Sequence, residues 1–336
     1  MPRLSKKMKE RARYGIVLAL LLLTAAVLIL LNAEKKEQRH AVSFPAMGTV
    51  ATLTFYTDET TFLKVVTAVR EVFEKITAVA NVHDSQSELS RLNKEAGKAP
   101  FVCSPLMWEL LKESRLACEL SEGAFDISVK PLLDHWGFYK KKIKKIPPAQ
   151  ETAKIRNLTG LAKIKFNDAR CTIRFPREGY ALDFGGIAKG YAIELASAKV
   201  VELGIRRGMI DLGGNLRLLP EPPPGKECYS IGIRCPSRQK GGVMPRILQL
   251  PGNCAVSSSG DYERYVKLEN RYFGHIIDPA TGTPAPGKIA VTAVSSSGTR
   301  SDWLSTAVYL RGEKLARKLQ KKLRDTQFHI IKKEKL

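Results

Sequence analysis

Two oxygen-bearing side chains near the C-terminus are placed about one helical turn apart. In Asp302-Trp-Leu-Ser-Thr306, the first and last residues are four positions apart, so they share one face if the segment is helical. A carboxylate and a hydroxyl on one face suit a hard cation such as Mg²⁺, which prefers oxygen ligands. The alternative is that Asp302 caps a helix, because Ser301-Asp302 is also a typical helix opening. The spacing alone leaves both interpretations open.

A glycine-rich segment, Asp183-Phe-Gly-Gly-Ile-Ala-Lys-Gly190, precedes a predicted helix. It matches neither the Walker A loop nor the G-x-G-x-x-G fingerprint, so neither familiar nucleotide-binding motif applies. Its glycines still let the backbone approach a ligand closely, and the following helix offers unpaired N–H groups to a phosphate. The acidic residue before the turn could bind a ribose or a base. A tight strand-to-helix turn explains the segment about as well.

A histidine occurs in the stretch Gly274-His-Ile-Ile-Asp-Pro-Ala-Thr-Gly282. The imidazole of His275 could act as a general base or bind a phosphate group. The second half, Asp278-Pro-Ala-Thr-Gly282, is typical of a turn that closes a β-hairpin. A lone histidine more often has a structural role than a catalytic one, so this residue by itself does not establish chemistry.

These three segments belong to a longer series of short motifs. In chain order the series is Phe44-Pro-Ala-Met-Gly-Thr49, Asp84-Ser-Gln-Ser-Glu-Leu-Ser-Arg-Leu-Asn93, Gly123-Ala-Phe-Asp126 with Trp136-Gly137, Leu182-Asp-Phe-Gly-Gly-Ile-Ala-Lys-Gly-Tyr191, Asp211-Leu-Gly-Gly-Asn215, Ser258-Ser-Gly-Asp-Tyr-Glu-Arg264, His275-Ile-Ile-Asp-Pro-Ala-Thr-Gly282 and Asp302-Trp-Leu-Ser-Thr-Ala307. The series resembles the ApbE family, the FAD:protein FMN transferases once described as thiamine-biosynthesis lipoproteins. The resemblance extends from about Phe44 to Leu319. Each motif alone is moderately specific, but eight in the family's order are very specific.

The resemblance implies a set of binding residues, position by position. The residues that fall where the family contacts FAD are Met47, Ala124, Phe125, Asp126, Asp183, Lys189 and Ile276. The residues that fall where it holds a divalent metal are Gly186, through its carbonyl, with Asp302, Ser305 and Thr306. Asn93 falls where the family has a residue near the flavin diphosphate.

The chain departs from the family pattern in two respects. The family often has a Tyr ten residues before Asn93, stacked on the isoalloxazine ring, and this chain has His83 there. An imidazole can still stack, but more weakly, so flavin affinity or orientation is expected to differ. Many relatives are also tethered by a lipidated Cys, and no Cys directly follows the apolar N-terminal run of this chain.

The implied activity is Mg²⁺-dependent transfer of FMN from FAD to a Ser or Thr hydroxyl of a target protein, with release of AMP. His275 is the candidate that deprotonates the hydroxyl or steadies the phosphate, and Asp302 is the competing base. By resemblance, the acceptor is a flavoprotein that carries a Ser/Thr-Gly-Ala-Thr type motif. Two alternatives stay open: an FAD hydrolase in which water replaces the acceptor, and a non-catalytic flavin-binding module in which His83 marks a degenerate site.

The elements that must position these residues are visible as hydrophobic periodicities. Alternation of polar with apolar residues around Val50–Tyr56 predicts a strand. Apolar residues at helical spacing between Phe62 and Val79 predict an amphipathic helix that faces a core. Ser104-Pro105 predicts the start of a second helix, and Gly123 lies just past its end. Because helices and strands alternate without βαβ regularity, we expect an α+β fold with mixed, largely antiparallel sheets and packed helices.

The N-terminus has the pattern of a membrane anchor. A basic cluster precedes an uncharged apolar run from Gly15 to Leu31, which is close to the lower length limit for crossing a bilayer core. A cleaved signal peptide is the alternative, but Leu31 occupies the −3 position where a small residue is required. Basic residues stay inside, so the rest of the chain is expected to face outward from a single-pass anchor in the cell membrane. The predicted segments are a cytoplasmic basic segment (1–14), the transmembrane anchor (15–32), a linker (33–42), the ApbE-like transferase domain (43–325) and a basic tail (326–336).

The formal net charge of +22 is strongly localised, with basic clusters before the anchor, near Lys140–Lys145 and in the C-terminal tail. No recognised nucleic-acid motif accompanies it, so we expect solvated basic faces near an anionic surface and no nucleic-acid partner. None of the six cysteines forms a C-x-x-C pair, which makes zinc and thioredoxin-like chemistry unexpected. Cys228 and Cys235 are close enough in sequence for a disulfide, and buried free thiols are the alternative.

Overall fold

A computed structural model describes residues 14, 17, 19–24, 37–139, 143–233, 246–260, 265–286 and 289–332. The predicted cytoplasmic segment (1–14) and anchor (15–32) lie almost entirely outside these residues. Within the described ranges, no helix combines the length and the apolar character needed to cross a bilayer.

Strands make up the centre of the fold. In chain order they are β1 (Gln38–Ala46), β2 (Thr49–Thr57), β3 (Phe101–Val102), β4 (Lys165–Asn167), β5 (Thr172–Arg174), β6 (Gly208–Leu212), β7 (Asn215–Leu218), β8 (Tyr229–Ile233), β9 (Arg246–Leu250), β10 (Ala255–Ser259), β11 (Tyr265–Leu268), β12 (Arg271–Gly274), β13 (Ile277–Asp278), β14 (Thr283–Pro284), β15 (Ile289–Ser295) and β16 (Gln327–Lys332). Seven of them form one antiparallel sheet in the order β1-β2-β6-β7-β10-β15-β16. A three-stranded sheet β3-β5-β4 and the hairpins β8–β9, β11–β12 and β13–β14 complete the set.

Helices cover one face of the main sheet. In chain order they are α1 (Glu59–Ala80), α2 (Glu88–Glu95), α3 (Pro105–Leu120), α4 (Lys130–His135), α5 (Ala149–Arg156), α6 (Ala188–Glu202) and α7 (Gly298–Lys322). Helix α6 packs against both α1 and α7, and α6 and α7 also contact the central strands. This arrangement confirms the predicted α+β fold with antiparallel sheets and packed helices.

The sequence periodicities predicted the local elements correctly. In β2, Ala51, Leu53 and Phe55 are fully buried, as the alternating pattern requires. In α1, the buried side chains recur every three or four residues from Phe62 to Ile76. Helix α3 begins as predicted, because the Ser104 hydroxyl accepts a hydrogen bond from the N–H of Met107 and caps its first turn.

The opposite face of the main sheet is covered by the β8–β9 hairpin. Leu218, Val256 and Val294 project from β7, β10 and β15 into a second hydrophobic cluster. Tyr229 and Leu250, which face each other across the hairpin, pack into the same cluster. Both faces of the sheet are therefore buried, which fixes the register of the strands that reach the candidate site.

The folded domain extends beyond the predicted boundaries 43 and 325. Strand β1 begins at Gln38, inside the predicted linker (33–42), and pairs with β2 as far as Thr57. The predicted basic tail (326–336) contains β16, which pairs with β15 along Gln327–Lys332. Phe328 and Ile330 pack against the main core from this strand. Frequent lysines in the tail obscured its alternating apolar residues, and these residues decide the strand.

Five cysteines lie in the described part of the chain, and all five are free thiols. Burial raises the pKa of Cys103 and Cys118 to about 12, so both thiols stay protonated and behave as small apolar groups. Cys228 is free, while its predicted partner Cys235 lies outside the described residues. The described cysteines are therefore free thiols, of which Cys103 and Cys254 are buried.

Candidate active site

Helix α7 carries the carboxylate and hydroxyl that the sequence places four residues apart. The helix is capped by Ser297, whose hydroxyl accepts a hydrogen bond from the N–H of Arg300. Asp302 therefore lies in the second turn, and the alternative that it caps the helix is wrong. Asp302 and Thr306 lie on one face of α7, as the spacing predicted.

The glycine-rich segment forms the predicted turn that leads into α6. The Asp183 carboxylate accepts a hydrogen bond of 2.6 Å from the N–H of Gly185, which closes the turn on itself. Asn93 holds Leu182, the residue just before the glycine-rich segment, by two hydrogen bonds. Its side-chain amide accepts from the Leu182 N–H at 2.7 Å and donates to the Leu182 carbonyl at 2.9 Å. The Lys189 ammonium lies 3.3 Å from the Gly185 carbonyl. Asn93 thus positions the turn and uses both ends of its amide to do so.

The first turn of α6 meets α7 at a crossing of two glycines. The N–H of Gly190 donates a 2.8 Å hydrogen bond to Oδ2 of Asp302. A methyl group added to Gly190 would lie 2.3 Å from the Gly298 carbonyl oxygen and 2.6 Å from the Asp302 Cβ. Only glycine permits this approach of the two backbones. The crossing places the glycine-rich turn directly against the Asp302 carboxylate.

Gly186 is brought to the other end of the same helical face. A methyl group added to Gly186 would lie 3.5 Å from Thr306 Oγ1 and 3.0 Å from the Phe125 ring. The Phe125 ring is itself buried and packs on Trp303 of α7. The three positions 186, 302 and 306, which are distant in sequence, are therefore neighbours in the fold.

Serine pairs fix α7 on strand β10. Ser257 contacts Ser301 at 2.8 Å, and Ser259 contacts Ser305 at 2.7 Å, each through the two hydroxyl oxygens. Two residues along a strand advance about 6.6 Å, and four residues along a helix advance about 6 Å. The serine hydroxyls of β10 therefore have nearly the same spacing as those of α7 and can pair with them. Ser259 also lies 3.2 Å from Thr306 Oγ1. Ser259 belongs to the motif Ser258–Arg264, for which the sequence by itself predicted no role.

The oxygen atoms of this face fit a hard cation. Asp302 is only 5% exposed, and among the described residues its second oxygen, Oδ1, has no hydrogen-bond partner. Thr306 Oγ1 and the Gly186 backbone lie beside it, and both are oxygen donors of the kind that Mg²⁺ prefers. No group of three or more His, Cys, Asp or Glu side chains in the described ranges could hold a metal ion. A single carboxylate with hydroxyl and backbone oxygens therefore forms the candidate metal set.

Ser305, the fourth predicted metal residue, is directed towards the sheet. Its hydroxyl donates to the Asp302 carbonyl at 2.8 Å and meets Ser259 from β10. The residue is 1% exposed. The structure brings Ser305 to the site, and its hydroxyl contacts protein groups on two sides.

The segment Ala124–Asp126 passes under the glycine-rich turn. Ala124 is buried, and the Phe125 ring touches Gly186. The Asp126 carboxylate accepts three hydrogen bonds from the N–H and hydroxyl of Ser128 and from the N–H of Leu161. The Asp126 side chain therefore organises the loop that links it to Leu161.

His83 and Tyr139 form an aromatic contact next to Asp183. The rings of His83 and Tyr139 are 5.0 Å apart at their centroids, and the Tyr139 hydroxyl donates a hydrogen bond to Asp183. His83 is exposed and Tyr139 half-buried. Tyr139 is a second residue that sequence reasoning missed, because Trp136-Gly137 was the only signal noted in this segment.

Met47 lies at the tip of a hairpin at the end of the sheet. Met47 and Gly48 both have positive φ, 49° and 73°, as the two central residues of a type I′ turn require. The neighbouring tip, Gly213-Gly214, has the same signs, and the Gly213 N–H donates to the Val50 carbonyl. The two tips therefore lie side by side, which holds the Met47 side chain at this end of the sheet.

The histidine segment is held between α4, α5 and α7. The Asp278 carboxylate forms two 2.8 Å hydrogen bonds with the guanidinium of Arg311 on α7. The Trp136 indole donates to the Gly282 carbonyl at 2.9 Å, and β13 and β14 form the predicted hairpin around the turn. His275 is half-buried, and Ile276 beside it packs into the main core. This bracing fixes the segment that carries His275 relative to the helix that carries Asp302.

Comparison with known proteins identifies the family of this chain. The model of the ApbE family matches residues 47–330. FAD:protein FMN transferases of Vibrio cholerae and Haemophilus influenzae are 29% and 27% identical, covering 86% and 92% of this chain and 86% and 91% of their own lengths. The crystal structure of the ApbE protein of Thermotoga maritima superposes with a TM-score of 0.79 at 28% identity, covering 88% of this chain and 97% of that chain. The flavin transferase ApbE of Vibrio cholerae gives a TM-score of 0.77 at 27% identity, with 89% and 95% covered. In sequence, fold and the clustering of its motifs around α7, this chain belongs to the ApbE family.

Proposed function

We propose that this protein is an FAD:protein FMN transferase that requires Mg²⁺, accepts a Ser or Thr hydroxyl of a target protein and releases AMP. The observation that carries the proposal is the convergence of Gly186, Asp302 and Thr306, with one carboxylate oxygen of Asp302 left without a partner among the described residues. A protein that only bound flavin would not require an anionic oxygen site beside a phosphate-binding turn. The names of the relatives from Vibrio cholerae and Haemophilus influenzae support the same activity.

The residues around the glycine-rich turn are suited to hold a diphosphate. Helix α6 begins at Ala188, immediately after the turn, and the positive end of its dipole favours anions there. Lys189 adds a positive charge to the same turn. Mg²⁺ held by Asp302, Thr306 and the Gly186 carbonyl would act as a Lewis acid on the phosphoryl oxygens. Asp302 and Gly190 thus hold the site together, while the turn orients the substrate.

The transfer itself requires one proton acceptor. The acceptor hydroxyl attacks the FMN-side phosphorus, the bond to the bridging oxygen breaks, and AMP leaves with that oxygen. His275 takes the proton from the attacking hydroxyl, and the Asp278–Arg311 pair fixes the segment that carries it. Asp302 is the competing base, but binding a cation leaves its carboxylate less able to accept a proton.

The test is a covalent-flavin assay with the purified chain. FAD, Mg²⁺ and a target carrying a Ser/Thr-Gly-Ala-Thr type motif are incubated, and the denatured target is examined for flavin fluorescence. A fluorescent target and stoichiometric AMP are expected, and chelation of Mg²⁺ should stop both. FMN and AMP formed without labelled target would instead identify a hydrolase, and no turnover would identify a binding module.

His275→Gln is expected to lower kcat between about a hundredfold and ten-thousandfold, the usual range for loss of a general base. The KM for FAD should change little, because the diphosphate is held by the turn and α7. Steady-state kinetics of target labelling measures both values. If the variant keeps more than a third of the wild-type kcat, His275 is not the base, and Asp302 takes that role.

Ser259→Ala is expected to raise the Mg²⁺ concentration needed for half-maximal rate about fivefold. The change removes the hydroxyl contacts that hold Ser305 and Thr306. Of these, only the contact with the metal residue Thr306 acts directly on the metal set, and its loss, about 1 kcal/mol, corresponds to about fivefold. Ser258→Ala is the matched control, because the Ser258 hydroxyl contacts Thr292 on the neighbouring strand. If Mg²⁺ titrations of the two variants coincide, Ser259 does not position the metal set.

We also propose that the catalytic domain lies outside the cytoplasm, held by the predicted anchor at 15–32. The basic residues before the apolar run support this orientation. A membrane or secreted flavoprotein would then be the acceptor. Protease treatment of spheroplasts should digest a C-terminal epitope tag on the full-length chain, and protection of the tag would contradict this orientation.

A further inference from the structure

An aromatic pair beside the glycine-rich turn has no role in the chemistry described above. Tyr139 follows α4, and its hydroxyl donates a hydrogen bond to Asp183. Its ring meets the imidazole of His83 with the two planes inclined by 60°. Tyr139 therefore contacts both His83 and Asp183, which belong to different parts of the chain.

The two rings form a corner. A planar ligand can lie against the face of one ring and meet the other ring at an angle, which aromatic groups favour over a single stacked contact. The Lys130 ammonium lies 4.7 Å from the centroid of the Tyr139 ring, and this cation–π contact holds the phenol in place. His83 is exposed and Tyr139 is half-buried, so the His83 side of the corner is open to solvent and the Tyr139 side is partly covered by protein.

An anionic acceptor lies at the base of the corner. Asp183 is 7% exposed, and its two oxygens take hydrogen bonds from the Gly185 N–H and the Tyr139 hydroxyl. Each carboxylate oxygen has two lone pairs, so each can accept one further hydrogen bond from a ligand. Two aromatic rings with a carboxylate bonded to one of them match a flat heterocycle that bears a ring N–H. The isoalloxazine of FAD has this chemistry, and its three fused rings are long enough to reach both side chains.

We propose that Tyr139 is an additional contact of the isoalloxazine ring, which the family stacks at the position of His83, and that Tyr139 determines the affinity of this enzyme for the flavin half of FAD. The proposal rests on the proposed function, since it takes FAD as the substrate. Tyr139 supplies a large phenol ring where the imidazole of His83 offers only a small surface. Its hydroxyl also orients Asp183 towards the ligand.

The test measures the two halves of FAD separately on the full-length chain, with FMN and ADP as probes. Tyr139→Ala is expected to weaken FMN and FAD binding about tenfold, the usual effect of removing one stacked aromatic ring, and to leave ADP binding unchanged. Tyr139→Phe keeps the ring and should stay within about threefold of wild type. Tyr56→Ala, which removes a half-buried tyrosine at the opposite end of β2, is the control and should change neither affinity.

A second readout does not depend on how well Tyr139→Ala folds. A tyrosine in contact with isoalloxazine quenches its fluorescence by donating an electron to the excited flavin, and phenylalanine does not. Bound FMN should therefore emit at least about twice as strongly in Tyr139→Phe as in wild type, at saturating protein. Unchanged emission together with unchanged FMN affinity in Tyr139→Ala would overturn the proposal, as would an equal loss of ADP and FMN binding.

These outcomes separate the inference from the function on which it rests. If wild-type protein labels its acceptor while the Tyr139 variants bind FMN normally, only the inference fails. If FMN binding depends on Tyr139 but no acceptor is labelled and no AMP is formed, the transferase proposal fails and the flavin subsite stands.

Discussion

Asp302→Asn is expected to lower the rate of FMN transfer on the order of a thousandfold at fixed Mg²⁺, because it removes the only anionic ligand of the candidate metal set. The substitution is nearly isosteric, and the asparagine carbonyl can still accept the hydrogen bond from the Gly190 N–H. The helix crossing should therefore survive, and the melting temperature should change by no more than about 2 °C. Target labelling at several Mg²⁺ concentrations, with a thermal melt of the same samples, measures both effects.

Asp302→Ala separates the structural role of this carboxylate from its charge. Alanine loses the metal ligand and also leaves the Gly190 N–H without its acceptor, which costs about 1–3 kcal/mol at a buried position. The alanine variant should therefore be as inactive as the asparagine variant but clearly less stable. An asparagine variant that retains a tenth or more of the wild-type rate would remove Asp302 from the metal site.

Gly190→Ala is expected to destabilise the domain by about 3 kcal/mol, at the upper end of the usual cost of overpacking. The added methyl group would lie 2.3 Å from a backbone carbonyl of Gly298, and backbone cannot rotate away as a side chain can. Helices α6 and α7 would have to separate, which lengthens the Gly190–Asp302 hydrogen bond. For a domain of this size we expect the melting temperature to fall by about 5 °C.

The separation of the two helices should also affect catalysis. Asp302 would move away from the glycine-rich turn, so transfer should fall even at temperatures where the variant is folded. Lys199→Ala, an exposed change on the same helix, is the control and should leave the melting temperature and the rate within error, because surface ion pairs contribute little. A Gly190→Ala protein with wild-type stability would show that the close glycine crossing does not limit the packing.

Several features of the fold could be predicted from the sequence because each depends on neighbours along the chain. The β2 alternation, the α1 periodicity and the Ser104 cap are local patterns, and the structure confirms all three. The limits of the folded domain along the chain were less predictable. Strand β16 was assigned to a basic tail because its lysines outweigh its apolar residues in composition, although Phe328 and Ile330 reach the core from it.

Residue roles were harder to predict than residue positions. Asp126 and Asn93 were predicted to lie at the ligand, and the structure adds that both side chains hold backbone groups in place. No role was predicted for Ser259 or Tyr139, because a serine on a strand or a tyrosine in a loop has no distinctive spacing. Their importance depends on what lies opposite them, and no local pattern records that.

The sequence by itself determined the family, the order of the motifs and the residue types that can hold a diphosphate and a cation, because these depend on chemical identity and spacing. Only the tertiary structure decided that the glycine-rich turn and α7 meet, more than a hundred residues apart, through the contact of Gly190 with Gly298 and Asp302. The physical reason is steric. Two helices approach this closely only where both lack side chains, and that closeness brings the backbone of one against the carboxylate of the other.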